Sequence, residues 1–465
     1  MSGYVTRREL GEQPLWRQAT PPVGRLDIEL TERCDNDCVH CCICLPEHDD
    51  EARRREMSTA DVQAVLTQAA ALGALSVRFT GGEPLIRDDF EELYLFARRL
   101  GLKVMLFTNA RGVTPAIADL LARVPPLEPV EVSVYGMSAH TYDGATRRRG
   151  SYAQFRRGVE LLLERGVPFV VKGALLPGLA GEIAEFEAWA STLPAMNKPP
   201  GFSMFFDLRG RRDCGGSAAE PPAAGALPAQ APAAGALPAA ASAARCDVER
   251  RNEMIRRVRL SPADGVAFLT RDRQRYLKDM REFCGKFMRP PGDRLFSCGA
   301  GHGACVDAYG VVQACLPLRD PQTTVSLREA GGGEAVGPGG GEEGGPSGGK
   351  EGGPSDGAAP APGAANAALG AVDAARLRYA LTEVFPRLRE TRAANPEYLR
   401  RCAVCFLKGL CEQCPAKSWA ESGTLDTPVE YLCEVAHEQA RDLGLLEPGE
   451  SAWQIEDWKA RVERI

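Results

Sequence analysis

Between Arg25 and Phe206, short apolar runs alternate with segments of helical spacing. Six runs read as strands: RLDIELT (25–31), LSVRFT (75–80), LKVMLFT (102–108), VEVSVY (130–135), VPFVVKGAL (167–175) and GFSMFF (201–206). The stretches between them repeat apolar residues every three or four positions. Ser58 precedes Val62, Val65, Leu66, Ala69 and Leu72, and Gly73 follows them. That is a serine cap, one apolar stripe and a glycine stop. A second stripe, Phe90, Leu93, Phe96, Ala97 and Leu100, ends before Gly101. The alternation predicts an α/β fold with a parallel sheet and right-handed crossovers. In such folds ligands sit at the carboxyl ends of the strands.

Composition then breaks twice. Residues 214–246 are Ala- and Pro-rich and repeat the unit PAAGALPA, and residues 327–372 are dominated by Gly, Glu, Pro, Ser and Ala. Neither holds enough bulky apolar side chains to offset chain entropy, so both are expected to be flexible inserts. The expected organisation follows. An N-terminal extension (1–24) leads into an α/β core (25–213), the linker (214–246) and a bridging helical segment (247–290). Two cysteine-rich halves, 291–326 and 373–440, flank the second insert (327–372), and a helical tail (441–465) ends the chain.

The formal charge of −6 speaks against a nucleic-acid footprint. Arg53–Arg55 and Arg147–Arg149 read as solvated loop faces. No apolar run is long enough to span a bilayer, and MSGYVTRREL lacks a signal-peptide core. A cytoplasmic protein with neither membrane nor nucleic-acid partner is expected. Sixteen cysteines then point to metal or chemistry, because the cytosol keeps thiols reduced.

The candidate chemistry falls on one rim. After the first strand, Cys34, Cys38 and Cys41 form C-x3-C-x2-C. Three thiolates on a tight loop can hold three irons of a [4Fe–4S] cluster and leave the fourth open. Zinc, with Cys42, Cys44 or His40 as fourth ligand, is the competing reading of that spacing. After the second strand comes Thr80-Gly81-Gly82-Glu83-Pro84. Its glycines permit a ligand to approach the backbone, its carboxylate can take an ammonium group, and its proline stops strand pairing. Thr108-Asn109 ends the third strand and Ser133 lies near the end of the fourth.

This combination resembles the radical S-adenosylmethionine (radical SAM) superfamily. The resemblance implies a partial (β/α)6 TIM-like barrel. It implies that Cys34, Cys38 and Cys41 hold the SAM-binding [4Fe–4S] cluster. Gly81, Gly82 and Glu83, with Pro84, would meet the methionine amino group of SAM. Ser133 would face the ribose, Asn109 would share that pocket, and Thr146 or Arg147 would reach the carboxylate. In one respect the chain departs from the family. The residue after the third motif cysteine is usually aromatic and packs near the adenine, whereas here it is Cys42. Cys42 and Cys44 fall outside the implied ligand set.

Farther on stand Cys298, Cys305 and Cys315, then Cys402, Cys405, Cys411 and Cys414, then Cys433. By spacing alone, Cys402 to Cys414 could form a zinc ribbon. The whole pattern resembles the SPASM domain, a C-terminal module carrying auxiliary [4Fe–4S] clusters on radical SAM enzymes. Residues 291–326 and 373–440 would be its two halves. Family order assigns Cys298, Cys305, Cys315 and Cys414 to one auxiliary cluster, and Cys402, Cys405, Cys411 and Cys433 to another. Glu412 and Gln413 make a two-residue spacer before Cys414, where the family usually has three. Cys214, Cys246 and Cys284 are read as ordinary thiols.

The resemblance implies reductive cleavage of SAM to methionine and a 5′-deoxyadenosyl radical, followed by hydrogen abstraction from a peptide or protein. The chain would then be a peptide maturase. The alternative is a radical SAM enzyme acting on a small molecule such as a porphyrin or cofactor precursor. Reduced ferredoxin or flavodoxin is the implied electron donor. Residues 1–24 leave no room for a fused leader-binding module, so any leader-peptide-binding protein is expected to be separate. A purely structural zinc protein would leave Gly81 to Pro84 without a purpose.

Overall fold

The computed structural model describes residues 23–43, 45–208, 248–296, 298, 300–301, 303–328 and 372–465. The extension through residue 22, the linker 214–246, most of the insert 327–372, and Cys44, Cys214 and Cys246 lie outside the described residues.

The strands in chain order begin with β1 Arg25–Thr31, and a short parallel pair follows, β2 Arg33–Cys34 with β3 Leu45–Pro46. Then come β4 Ser76–Gly81, β5 Lys103–Thr108, β6 Val130–Val134, β7 Phe169–Ala174 and β8 Gly201–Ser203. Strands β1, β4, β5, β6, β7 and β8 lie side by side in that order, each parallel to the next. This is the predicted six-stranded α/β arrangement. Each strand after β1 is shifted or shortened by a few residues at its ends relative to the apolar run that predicted it. The helix Thr59–Ala71 starts on a capping box, Ser58 with Asp61, and buries Val62, Val65, Leu66 and Ala69. Gly73 takes φ +97° just beyond it, a conformation that favours glycine.

The strand faces are unequal. Leu26, Ile28, Leu30, Val77, Phe79, Val104, Leu106, Val132 and Val171 pack with the helices into one core. The opposite face carries charge. Arg78 pairs with Asp27 at 3.2 Å and covers the Phe107 ring at 4.7 Å. Parallel strands are usually apolar on both faces. A charged inner face therefore marks this side for something other than packing.

The sheet also extends beyond β1. Strand β9 Ala304–Val306 pairs in parallel with β1, and β10 Val311–Gln313 and β11 Val325–Ser326 add on in antiparallel fashion. All three residues of β9 are buried. An unpaired β1 edge would expose a row of hydrogen-bonding groups, and this addition covers it.

Three helices, Val248–Val258, Pro262–Leu269 and Arg273–Phe287, follow the first long segment. A second core lies beyond the barrel. There Tyr276, Cys284 and Met288 meet Phe406, Leu407, Leu410, Ala436 and Ala440. Cys284 is buried in this core, and burial alone pushes its thiol up to about 11. No helix among the described residues is long and apolar enough to cross a membrane.

Gly81 and Gly82 fix how the first loop leaves the barrel. A Cβ on Gly81 would lie 2.2 Å from the Thr31 carbonyl oxygen, and one on Gly82 would lie 2.0 Å from that of Arg33. Gly82→Ala should therefore destabilise the fold by at least about 1–3 kcal/mol, the usual range for overpacking. Gly144→Ala is the control, since nothing lies within 4 Å of a Cβ built there. Thermal melting should show a clear fall in Tm for the first variant and none for the second. Equal behaviour of the two would show that the contact is not a constraint.

Candidate active site

The cysteine loop rises from the end of β1. Its arms are closed by the β2–β3 pair and by a buried ion pair, Arg33 Nε to Glu56 Oε1 at 2.9 Å. Cys34 and Cys38 are buried and Cys41 is half-buried. The Asn36 N–H donates to Cys34 Sγ and the Ile43 N–H to Cys41 Sγ, both at 3.4 Å. Such donors suit a sulfur that bears negative charge. The loop is tied to the neighbouring helix end, where Asp37 N–H donates to Thr146 O and Val39 N–H to Ala145 O, each at 2.9 Å. Tyr135 reports the convergence of the three thiols. Burial raises its phenol well above the usual range, and Cys38, Cys34 and Cys41 all add to the shift.

Glu83 comes next, directly after the two glycines. Gly82 N–H donates to Thr31 O at 2.7 Å and Glu83 N–H to Arg33 O at 2.9 Å. The space these glycines leave is thus occupied by the chain entering the cysteine loop. The Glu83 carboxylate is buried and accepts from Thr108 Oγ1 at 2.8 Å, Asn109 N–H at 2.8 Å and Leu85 N–H at 3.1 Å. Pro84 opens the short turn that this carboxylate caps. Burial first, then the like charge of Asp35, pushes Glu83 up to about 8, against the pull of those donors. Asn109 donates to Asp35 Oδ1 at 2.7 Å and lies 3.9 Å from Cys34 Sγ.

A cavity of about 680 Å³ opens at this rim, within the usual range for ligand sites. His40, Cys41, Cys42, Ser133, Tyr135 and Lys172 form one side, and Met280, Phe283, Leu410, Leu432 and Val435 form the other. The first set comes from the loop and strands, the second from the later helices. His40 packs against Tyr135 at 5.3 Å and Phe206 at 4.7 Å between ring centroids. Its Nδ1 is buried with no hydrogen-bond partner among the described residues.

The later cysteines gather in two places. Cys402, Cys405, Cys411 and Cys433 line one internal cavity, with Arg401 and His437 in its wall. Burial and mutual repulsion push the first three thiols up to about 12, 12 and 11. Arg401 Nη2 lies 3.3 Å from Cys433 Sγ. The second place joins Cys315 with Cys414 and Cys298, both of which raise its thiol after burial. Cys305 lies elsewhere. Burial and then Glu29, Arg319, Asp27 and Asp307 act most on its thiol, and none of these is a cysteine. Gln413, in the short spacer, accepts from Val429 N–H at 2.8 Å and donates to Ser418 Oγ at 2.6 Å.

Residues 28–190 match the sequence profile of the Radical SAM superfamily. They form a radical SAM domain. Over 180 residues the chain is 35% identical to the PqqA peptide cyclase of Xanthomonas euvesicatoria pv. vesicatoria, covering 37% of this chain and 46% of that one. Over 143 residues it is 30% identical to the AdoMet-dependent heme synthase of Methanosarcina barkeri, covering 31% and 40%. The chain thus spans less than half the length of these relatives. Among solved structures, histidine-tagged anSMEcpe with bound AdoMet aligns with a TM-score of 0.48 at 13% identity, covering 94% of this chain and 98% of that one. Streptococcus suis SuiB bound to precursor peptide SuiA gives 0.31 at 21% identity, covering 35% and 36%. Likenesses at that level carry no inference.

Within the radical SAM domain, the expected residues stand as follows. Cys34, Cys38, Cys41, Glu83 and Asn109 share one neighbourhood, and Ser133 lines the cavity beside Cys41. Thr146 bonds the Ser151 hydroxyl at 2.7 Å, and Arg147 pairs with Asp37 of the cysteine loop at 2.7 Å. Reasoning from sequence passed over Arg111, which binds Asn36 Oδ1 at 2.7 Å and Asp35 O at 2.6 Å. It also weighed His40 only as a metal ligand, although its ring forms part of the cavity wall.

Among the described residues, no three His, Cys, Asp or Glu side chains are gathered tightly enough to hold a single metal ion. Cys402, Cys405, Cys411 and Cys433 line the wall of the C-terminal cavity. Burial and the neighbouring thiols keep Cys402, Cys405 and Cys411 in the neutral thiol form at neutral pH.

The Glu83 carboxylate generates a pH prediction. Its folded value lies near 8 against 4.5 ordinarily, so between those values the folded state holds a proton that the unfolded state releases. Its contribution therefore falls as pH rises from about 4.5 to about 8. In cluster-free protein, Tm measured across that window should decline less for Glu83→Gln than for the parent. Parallel curves would show that Glu83 does not carry the shift.

Proposed function

We propose that this chain is a radical SAM peptide-modifying enzyme whose C-terminal part is a SPASM domain with two auxiliary [4Fe–4S] clusters. The observation that carries the reading is the cavity shared by the cysteine loop and the later helices. It places a partly enclosed chamber directly beside Cys41, the third motif cysteine.

Cys34, Cys38 and Cys41 would hold the SAM-binding cluster. A cluster and SAM bound there would supply one-electron reductive cleavage of SAM and the hydrogen-abstracting chemistry that follows from it. The protein's residues do the rest. Asp35 and Glu83 are two neighbouring carboxylates in a buried place, where an ammonium group would relieve the repulsion between them. Ser133 offers a hydroxyl from the cavity wall to the ribose. His40, Tyr135 and Phe206 offer flat ring faces to a purine. Met280, Phe283, Leu410, Leu432 and Val435 keep water from a reactive intermediate.

In the C-terminal part, Cys402, Cys405, Cys411 and Cys433 would fully ligate one auxiliary cluster. Cys298, Cys315 and Cys414 would hold the other, with Cys305 the least supported of the eight. Clusters held by these cysteines would supply electron-accepting capacity beside the substrate. Reduced ferredoxin or flavodoxin is the donor for the first electron, and a separate protein would present a leader peptide. The substrate proposed is a peptide, as the name of the Xanthomonas relative suggests. A small molecule such as a porphyrin is the second reading, favoured by the heme synthase similarity.

Anaerobic reconstitution tests the core of this. The parent should carry about twelve irons with matching sulfide, and the triple variant Cys34→Ala, Cys38→Ala, Cys41→Ala about eight. Release of 5′-deoxyadenosine from SAM should vanish in the variant. Zinc without sulfide in the parent would overturn the reading. Incubation with SAM, reductant and short peptides encoded beside the gene should shift a peptide mass. Consumption of a porphyrin with every such peptide unchanged would move the assignment to the second reading.

A further inference from the structure

The loop that bears the three motif cysteines also bears two carboxylates, Asp35 and Asp37, between the first two of them. Three guanidinium groups close on it from different parts of the chain. Arg111 pairs with Asp35 at 3.3 Å. Arg147 pairs with Asp37 at 2.7 Å. Arg251, on the helix Val248–Val258, reaches Asp37 Oδ1 at 2.6 Å and donates to the Cys38 carbonyl oxygen at 3.1 Å. The Arg251 side chain is 17% exposed, against 44% for Arg147, so Arg251 is the less screened of the two charges on Asp37.

These groups leave a formal excess of one positive charge around the loop. The arrangement has an electrostatic consequence wherever the loop accepts an electron. Two fixed carboxylates disfavour an added negative charge, and partly buried guanidinium groups favour it. The potential of an iron–sulfur cluster follows net charge, hydrogen bonding and exposure. Arg251 acts on charge and exposure, because it brings a guanidinium to Asp37 and, through the Cys38 carbonyl oxygen, lies over the loop.

We propose that Arg251 is a positioning residue that raises the reduction potential of the cluster on the Cys34–Cys38–Cys41 loop by offsetting Asp37. This rests on the reading that the loop holds a cluster. The later helical part of the chain would then set how readily the radical SAM domain is reduced.

The test is a redox titration of the reconstituted full-length protein, read by EPR through the signal that SAM addition alters. At a fixed potential, Arg251→Gln should lower the ratio of reduced to oxidised loop cluster about tenfold, equivalent to about 59 mV for one electron. Arg251→Lys keeps the charge and should stay within about threefold of the parent. Asp37→Asn should shift the ratio the opposite way, and the Arg251→Gln, Asp37→Asn double variant should return towards the parent. Equal shifts for the Gln and Lys variants would overturn the charge-based proposal, as would a fully loaded Arg251→Gln protein with the parent's potential. Should Arg251→Gln fail to bind iron, an Asp37→Asn potential at or below the parent's would decide against it. Absence of any SAM-sensitive cluster in the parent would instead defeat the underlying assignment.

Discussion

Two stretches of backbone meet where no side chain can stand between them. Gly81 and Gly82, leaving β4, run against the carbonyl groups of Thr31 and Arg33, leaving β1. That contact sets the direction in which the cysteine loop departs and, in the same stroke, the position of Glu83. The ladder between β1 and β4 changes register at Glu29 to Thr31, so the strands stop behaving as a regular sheet at this level. Beyond it the chain is held by other means. The Arg33–Glu56 pair anchors one arm, and Arg111 and Arg251 anchor the other side. A loop rich in thiols and carboxylates has little apolar surface to bury, so it needs such fixed points.

The site shares one electrostatic character throughout. Its buried groups are mostly acids and thiols pushed above their ordinary values by burial and by one another. Asp27 and Glu131, both raised chiefly by burial, continue this pattern along the strands, with Arg78 paired to Asp27 and Arg319 to Glu29. Such an interior is stabilised by protonation of its acids and thiols and by positive charge at defined points. Where arginine supplies it, the charge is permanent. Arg111 supplies it beside Asp35, and Arg401 supplies it beside Cys433.

Much of the fold could be read from the chain because periodicity carries it. The capped helix after Ser58, the stripe from Phe90 and the six apolar runs all rest on local spacing, and local spacing survives folding. The three added strands could not be read this way. Ala304, Cys305 and Val306 form too short a run, and their partner lies at the other end of the chain. The clustered motifs of the site were legible for the same local reason. Arg111 and Arg251 were not, because they reach the loop across 75 and 213 residues and no spacing rule links them to it. Gly81 and Gly82 also pack directly against the chain entering the cysteine loop. Their lack of a side chain matters first to the chain itself.

The pairing of β9 with β1 has a consequence for how the molecule assembles. Leu26 aligns with Ala304, so β1 waits for a strand made much later before this edge is covered. Folding of the barrel and of the later segment is therefore a single cooperative problem, with a slow, long-range closure at its centre. Once that closure is made, the length of chain between the two strands matters little, since each doubling of a flexible loop costs only about 0.6 kcal/mol. Long segments of simple composition can accumulate between such partners over evolutionary time with little thermodynamic penalty. Severing the chain there would carry a different hazard, because it would leave β1 as an open edge ready to pair with another copy.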